Sequence, residues 1–395
     1  LKKLYKGYLY TFPFAHAFAV TTAINLTIIM GIILAFGILV SGDQKIKPHI
    51  VDFGIIFFLV SLSLTNIVNV ELMDGKQLNH SISWLVCFLL FFYVNRFCLK
   101  LLPIEEIYVV IVRCYLLVTV FAIVEFLSRL VLGIDLNGFI PRPGGQQYEA
   151  TFLGLILQRS RAFFSESAHA GMYIALTYPF VKYWMKQNKS SALKEKIMLF
   201  ITLFAAFTIF STTFFIFFPA FIFLIFALGS KRFYKRLMIL TPILFLAVFL
   251  FRNEIYLIVD AAVLSKFQTG SADIRAYNMA ASVNLIKNSS LLHVAFGYGP
   301  GSYFKLSLPD AAPSVYINIL RDMGVVGLFS YCSIWFLAII AIIYYRRLEI
   351  SKYLLLMVCM VLIYHVSNME YNFVSMWFVL FSVTEMNYFS VKKVN

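Results

Sequence analysis

Apolar runs long enough to cross a bilayer recur along this chain, separated by short polar segments rich in lysine and arginine. Clear runs are Val51–Val70, Ser83–Phe97, Ile107–Leu132, Ala170–Trp184, Leu237–Ile258, Val325–Tyr345, Tyr353–Val366 and Phe373–Phe389. Two more, Tyr8–Val40 and Ile197–Leu228, would each span ~50 Å as a helix, against a hydrocarbon core of ~30 Å. Each is either one tilted helix or a hairpin of two short ones. Pro13 and the polar centre Thr21, Thr22 and Asn25 interrupt the first; Ser211, Thr212 and Thr213 interrupt the second.

Charge decides between these readings. Basic clusters fall at Lys2/Lys3/Lys6, Lys45/Lys47, Arg96/Lys100, Lys186/Lys189/Lys194/Lys196, Lys231/Arg232/Lys235/Arg236, Arg346/Arg347/Lys352 and Lys392/Lys393. Loops enriched in lysine and arginine stay cytoplasmic, and only two hairpins put every cluster on one side. The expected fold is therefore an all-α polytopic membrane protein of about 12 transmembrane helices, with both termini cytoplasmic. It forms a single membrane domain over residues 1–395. Two long segments then face outward. One covers residues 133–167, with Pro141, Pro143, Gly144 and Gly145 as turn formers; the other covers 259–324. Within the second, Ser271-Ala-Asp-Ile-Arg275 reads as a helix start with Ser271 as N-cap. Ile274, Tyr277, Ala281 and Leu285 follow at near-helical spacing, the pattern of an amphipathic helix at the outer interface.

Composition sharpens the class without changing it. The chain is 61% hydrophobic and 13% charged, with a mean hydropathy of +0.84. Its net charge of +14 lies in clusters between apolar runs, as topology demands, so it does not point to nucleic acid. The first apolar run lacks a small-residue cleavage site and is expected to remain as an anchor. Five cysteines, Cys87, Cys98, Cys114, Cys332 and Cys359, sit in or beside apolar runs with no ligand spacing. Zinc sites and structural disulfides are not expected.

Against this background one short run stands out, Arg159-Ser-Arg-Ala-Phe-Phe-Ser-Glu-Ser-Ala-His169, directly before an apolar helix. Ionisable groups gathered at a membrane boundary are costly and point to function. The plain alternative sets the arginines at lipid headgroups and Ser165 as a helix cap. Outer segments should be poor in basic residues, yet these carry Arg142, Arg159, Arg161, Lys266, Arg275, Lys287, Lys305 and Arg321. Arginine forks suit phosphate. A lipid pyrophosphate and ordinary anionic headgroups both fit this pattern. Arg113, Glu125 and Arg129 share one apolar run, where Glu125 and Arg129 are spaced to pair. Glu166 sits within a turn of His169 and reads as a general base, as the partner of an arginine, or as a cap. His169 and His293 are candidates for proton transfer. Phe296-Gly-Tyr-Gly-Pro-Gly-Ser302 lacks the context of a nucleotide-binding loop and reads as a tight turn for close backbone approach. Pro313 to Leu328 reads as a short helix broken at Gly324, carrying Tyr316, Asn318, Arg321 and Asp322. The patch His365, Asn368, Glu370 and Asn372 reads as a solvated loop.

Three pieces in this order resemble the O-antigen polymerase and ligase superfamily of bacterial polysaccharide assembly. They are the Arg159–Gly171 run, Arg275 with the Phe296–Ser302 turn, and Pro313-Ser-Val-Tyr-Ile-Asn-Ile-Leu-Arg-Asp-Met-Gly-Val-Val-Gly. The likeness covers roughly Arg159 to Tyr345. The first piece is similar to the Arg-x-x-Gly/Ser-x-x-x-Glu-Pro-Ser pattern of Wzy-type polymerases. Arg159 takes its arginine, Ala162 its small residue and Glu166 its glutamate, while Ser167-Ala168 replaces Pro-Ser. Ligases open the last piece with a His-Asn pair; Pro313-Ser314 stands there, which favours a polymerase.

The resemblance implies a metal-independent, inverting glycosyltransferase in the bacterial cytoplasmic membrane, its site facing the periplasm and needing no cofactor. The donor is a growing glycan on undecaprenyl pyrophosphate, the acceptor a lipid-linked repeat unit, with membrane lipids and a chain-length regulator as further partners. Arg159, Arg275, Arg161 and Arg321 are the candidates to hold the departing pyrophosphate. Glu166, His169 and His293 are those for proton transfer, and Tyr298, Gly299 and Asn318 those of the substrate loop. Three rivals remain: an O-antigen ligase, another lipid-linked glycan polymerase such as a peptidoglycan-type enzyme, and a lipid-linked oligosaccharide flippase, which would place its ionisable groups near the bilayer midplane.

Overall fold

A computed structural model of the chain describes residues 1–19, 24–42, 46–142, 149–152, 155–209, 239, 242, 271–306 and 311–390. The helices are α1 (Lys2–Tyr10), α2 (Leu26–Ser41), α3 (Ile50–Val68), α4 (Gly75–Leu101), α5 (Ile104–Leu132), α6 (Ser167–Gln187), α7 (Ala192–Ile209), α8 (Ser271–Lys287), α9 (Leu291–Phe296), α10 (Val315–Tyr344), α11 (Ile350–Ser367) and α12 (Val374–Thr384). Among the described residues, α3, α4, α5 and α10 are long and apolar enough to cross a membrane, and α2, α11 and α12 are shorter apolar helices. Most of Ile197–Leu228 and Leu237–Ile258 lies outside the described residues, so the expected total of about 12 spans is not counted here.

Local chemistry sets the helix ends. Asn25 caps α2 by accepting from Ile28 N at 3.0 Å, and Gly42 ends it at φ +65°. His49 Nδ1 accepts from Val51 N at 3.2 Å while His49 N donates to Asp52 at 2.7 Å, a reciprocal cap for α3. Pro103 precedes α5, and Gly133 closes it at φ +68°.

The first long apolar run is broken, as a hairpin requires. Lys2 and Lys6 reach Glu106 at the start of α5 (3.1 and 2.8 Å), whereas His16 lies beside Glu370 in the turn between α11 and α12. The chain therefore passes from one end of the bundle to the other between Lys2 and His16. Only Lys2–Tyr10 of this limb is α-helical; a tight turn at Phe12–Phe14, around Pro13, follows. α10 lies along α3, where a Cβ on Gly54 would come within 3.0 Å of the Ile334 backbone. Trp335, Trp377, Tyr108, Tyr115 and Tyr183 fill the interior. Phe36, Leu39, Phe53, Phe329 and Phe336 stay outside, the exposed apolar surface that lipid covers and water does not tolerate. All five cysteines are free.

One expectation changes. The segment 133–167 is not all loop: Glu149–Phe152 and Leu155–Gln158 pair as an antiparallel hairpin, with Glu149 opposite Gln158 and Phe152 opposite Leu155. In α8, Asn278 and Ser282 are buried and Tyr277 is exposed. Ser282 is drawn in because its hydroxyl meets the Arg321 guanidinium on α10 at 3.4 Å.

Candidate functional site

The run after the hairpin is held from below by one buried acid. Glu125, near the end of α5, accepts from the Ser160 hydroxyl, from Arg161 N at 3.0 Å and from Ala162 N at 2.8 Å. Arg142 stands 3.5 Å away on the other carboxylate oxygen and donates to the Ala162 carbonyl. Ala162 adopts φ +47°, a strained value for a residue with a Cβ, and these bonds hold it there. The expected Glu125–Arg129 pair does not form. Arg129 points past the helix end to Asp135 at 3.3 Å, because Glu125 is engaged by the returning loop. Burial pushes Arg142 down to about 10, partly offset by Glu125.

The loop then delivers α6. Glu166 occupies the N-cap position with extended backbone, but its side chain makes no cap bond. Nor does its carboxylate have an ion-pair partner among the described residues. Ser165 is not the cap either; its hydroxyl meets His169 Nδ1 at 3.0 Å. His169 is buried, and its Nε2 lies 2.8 Å from Glu370 Oε2. His16 stacks on His169 with ring centres 5.0 Å apart and planes 14° from parallel, its Nε2 3.9 Å from the same oxygen. Burial, then the neighbouring His169, pushes His16 down to about 4. For Glu370, burial pushes upward, but the charge of His169 and its hydrogen bond outweigh it and hold the carboxyl below its ordinary range. The three donors lie within 4.8 Å of one another. Near-parallel rings aim their lone pairs along parallel planes rather than at a common point. The geometry is that of an ion pair with a stacked neighbour, and it does not fit a shared cation.

The glycine-rich turn does what close backbone approach predicts. Gly324 breaks α10 at φ +67°, ψ −167°, as expected from the sequence. A break leaves carbonyls at the end of the first segment without helical donors. Tyr298 N takes that of Arg321 at 3.0 Å, and Gly299 N takes that of Asp322 at 2.8 Å. A Cβ on Gly297 would lie 2.3 Å from the Asp322 carbonyl carbon, and one on Gly324 would lie 2.3 Å from the Ala295 oxygen. Only glycine fits either position. Asn69 and Thr65 at the end of α3 clamp the turn through the Gly297 and Phe296 carbonyls (3.1 and 2.9 Å).

Between this turn, the start of α10, the start of α4 and the α11–α12 turn lies a cavity of about 240 Å³. Its polar lining includes His80, Asn318, Arg321, Asp322, Glu370 and Asn372; Trp84, Tyr303 and Tyr371 form its aromatic wall. Arg321 is 1% exposed, donates from Nε to Asp322 Oδ1 at 2.8 Å, and lies over the Tyr303 ring at 4.9 Å. Asn318 closes its own turn, with 2.8 Å bonds to both the amide and the carbonyl of Ala312.

Glu370 links His169 to the cavity that Asn318, Arg321 and Asp322 line: it touches His169 and borders the same space. Arg161 is buried, with a 3.2 Å bond to the Ser165 carbonyl, and Arg159 is half-buried where the hairpin ends. Arg275 lies on α8, its side chain outside the described residues. His293 does not line the cavity; it bonds Ser290 at 3.0 Å and stacks on Tyr298 at 4.2 Å. Tyr298 and Gly299 support the cavity through their backbones.

The expected solvated loop at His365–Asn372 needs correction. His365 is fully buried against Tyr331 (3.1 Å), and Glu370 is the hinge of the site. Four polar residues between two apolar runs were the available signal. His16 and His80 gave none, since each is a lone histidine whose partners come from distant segments. Compared with known proteins, the chain matches no family model and no curated sequence.

Proposed function

We propose that this chain polymerises lipid-linked oligosaccharide repeat units at the outer face of the bacterial cytoplasmic membrane. It moves the growing glycan from undecaprenyl pyrophosphate to the non-reducing end of an incoming lipid-linked unit. The observation that carries this reading is that residues from pieces far apart in sequence gather at one end of the bundle around a single cavity. His169 from the first piece and Asn318, Arg321 and Asp322 from the last connect through Glu370. A leaving pyrophosphate accumulates charge as the glycosidic bond breaks, and preorganised cations stabilise that charge. Arg159 and Arg275 are assigned to this task. Arg161 supports it, whereas Arg321 is paired with Asp322 and lines the cavity.

Deleting the gene in its host and resolving the surface glycan by size tests the reading. Loss of a polymerase leaves chains of one repeat unit. Polymer accumulating on its lipid carrier identifies a ligase instead. Repeat units trapped on the inner leaflet identify a flippase.

A further inference from the structure

The cavity is a poor place for a pyrophosphate. Among the described residues that line it, the one guanidinium, Arg321, is bound to Asp322 at 2.8 Å, and Glu370 adds a second carboxylate. Two acids against one cation repel a multiply charged anion at close range. An uncharged polyol meets no such barrier. Its hydroxyls match His80, Asp322, Glu370 and Asn372, and its C–H faces match the wall of Trp84, Tyr303 and Tyr371. A cavity of about 240 Å³ is large enough to admit a sugar ring.

Two acids border this space: Asp322 is paired with the Arg321 guanidinium at 2.8 Å, and Glu370 is held from behind by a histidine. The Glu370 side chain is 26% exposed, while His169 at 2.8 Å fixes one oxygen. His169 is itself positioned by Ser165 at 3.0 Å and by the stacked His16. Glu166 does not line the cavity. We infer that the cavity seats the neutral terminal sugar of the acceptor and that Glu370, rather than Glu166, is the catalytic base for its attacking hydroxyl. As the hydroxyl oxygen bonds to the donor's anomeric carbon, its proton passes to the Glu370 carboxylate. The anomeric C–O bond breaks, and its electron pair leaves with the pyrophosphate.

This inference rests on the polymerase reading, and the test separates the two. Membranes bearing the full chain are given lipid-linked glycan as donor and the free, labelled repeat-unit oligosaccharide of the host as acceptor. Formation of soluble, extended glycan is followed. Glu370→Gln is expected to lower kcat at least about 100-fold, the lower range for a lost general base, with acceptor KM within about threefold of wild type. Asn372→Trp, which fills the rim, is expected to raise acceptor KM about tenfold or more with kcat less affected; both bounds follow from loss of ground-state binding alone. Wild-type turnover in Glu370→Gln overturns the base assignment. Unchanged acceptor KM in Asn372→Trp, or inorganic pyrophosphate competing directly with the free glycan, overturns the sugar subsite. If Glu370→Gln does not accumulate in membranes, Asn372→Trp, which leaves the Glu370–His169 pair intact, decides the sugar subsite, and Glu370→Asp decides the base by its kcat. If wild-type membranes extend nothing and gene deletion leaves chain length unchanged, the polymerase reading itself fails.

Discussion

At one end of the bundle, Arg96 donates to Asp52 at 2.6 Å and to Glu385 at 3.1 Å, Lys2 and Lys6 converge on Glu106, and Lys186 and Lys352 on Glu349. At the other, Glu125 gathers a loop, His169 meets Glu370, and Arg321 meets Asp322 beside a cavity. The first end carries the basic clusters that topology requires, and its pairs join helix ends without enclosing space. At the second, groups from distant segments, Arg321, Asp322 and Glu370 among them, border a void. Both ends contain buried ion pairs, so pairing alone does not mark function. What separates them is whether the paired groups border space that a ligand can enter.

Substitutions on the two ends should therefore fail in different ways. The largest effect is expected for Arg159→Ala, which should abolish polymerisation while leaving the protein in the membrane; Arg275→Ala should do the same. Glycan size on a gel, read beside a membrane immunoblot, checks both, and normal chain lengths in the two mutants would sink the pyrophosphate clamp. Arg96→Ala should behave oppositely. It leaves Asp52 and Glu385 without their buried partner, a loss of about 3–5 kcal/mol. Thermal unfolding in detergent should shift strongly, while activity per folded molecule is retained.

Gly324→Ala should fall between these extremes. A Cβ there meets the Ala295 oxygen, and backbone of this kind costs a non-glycine residue about 1–3 kcal/mol. Because the same break shapes the cavity, acceptor KM should rise along with the loss of stability. Acid should act more gently. His16 is held neutral in the fold, with its value pushed down to about 4, whereas the unfolded chain takes up the proton near 6.5. The unfolded state then binds more protons between those values. The stabilisation is complete above pH ~6.5 and is lost as pH falls towards 4. Melting temperature across that window should decline in wild type and decline less in His16→Phe. The smallest effect is expected for Lys186→Ala, whose half-exposed pair with Glu349 contributes at most about 1 kcal/mol. A melting curve indistinguishable from wild type would agree; a loss as large as that of Arg96→Ala would erase the distinction drawn between buried and exposed pairs.

Much of the frame was legible because it rests on local rules. Apolar runs place α3 and α5 within a few residues of their observed limits and the end of α10 within one, and Gly324 announces its own break. The broken first run follows from Pro13 and the polar centre after it. The hairpin at Glu149–Gln158 was hidden, since its strands lie in a segment read as turn-rich loop. The burial of Ser282 in α8 was hidden too, because a stripe of Ile274, Tyr277, Ala281 and Leu285 carries no sign of Arg321 waiting for Ser282.

The sequence by itself determined a helical membrane protein and marked the arginine-bearing segments between its apolar runs. Hydropathy and charge act residue by residue, so they can be read in one dimension. Only the tertiary structure decided which acids matter. Glu125, which sequence spacing assigns to Arg129, anchors the loop before α6 instead. Glu370, which reads as solvated, meets His169 from a segment some two hundred residues earlier. Pairing of that kind depends on which helix ends share a face of the bundle, and packing sets that across the whole chain.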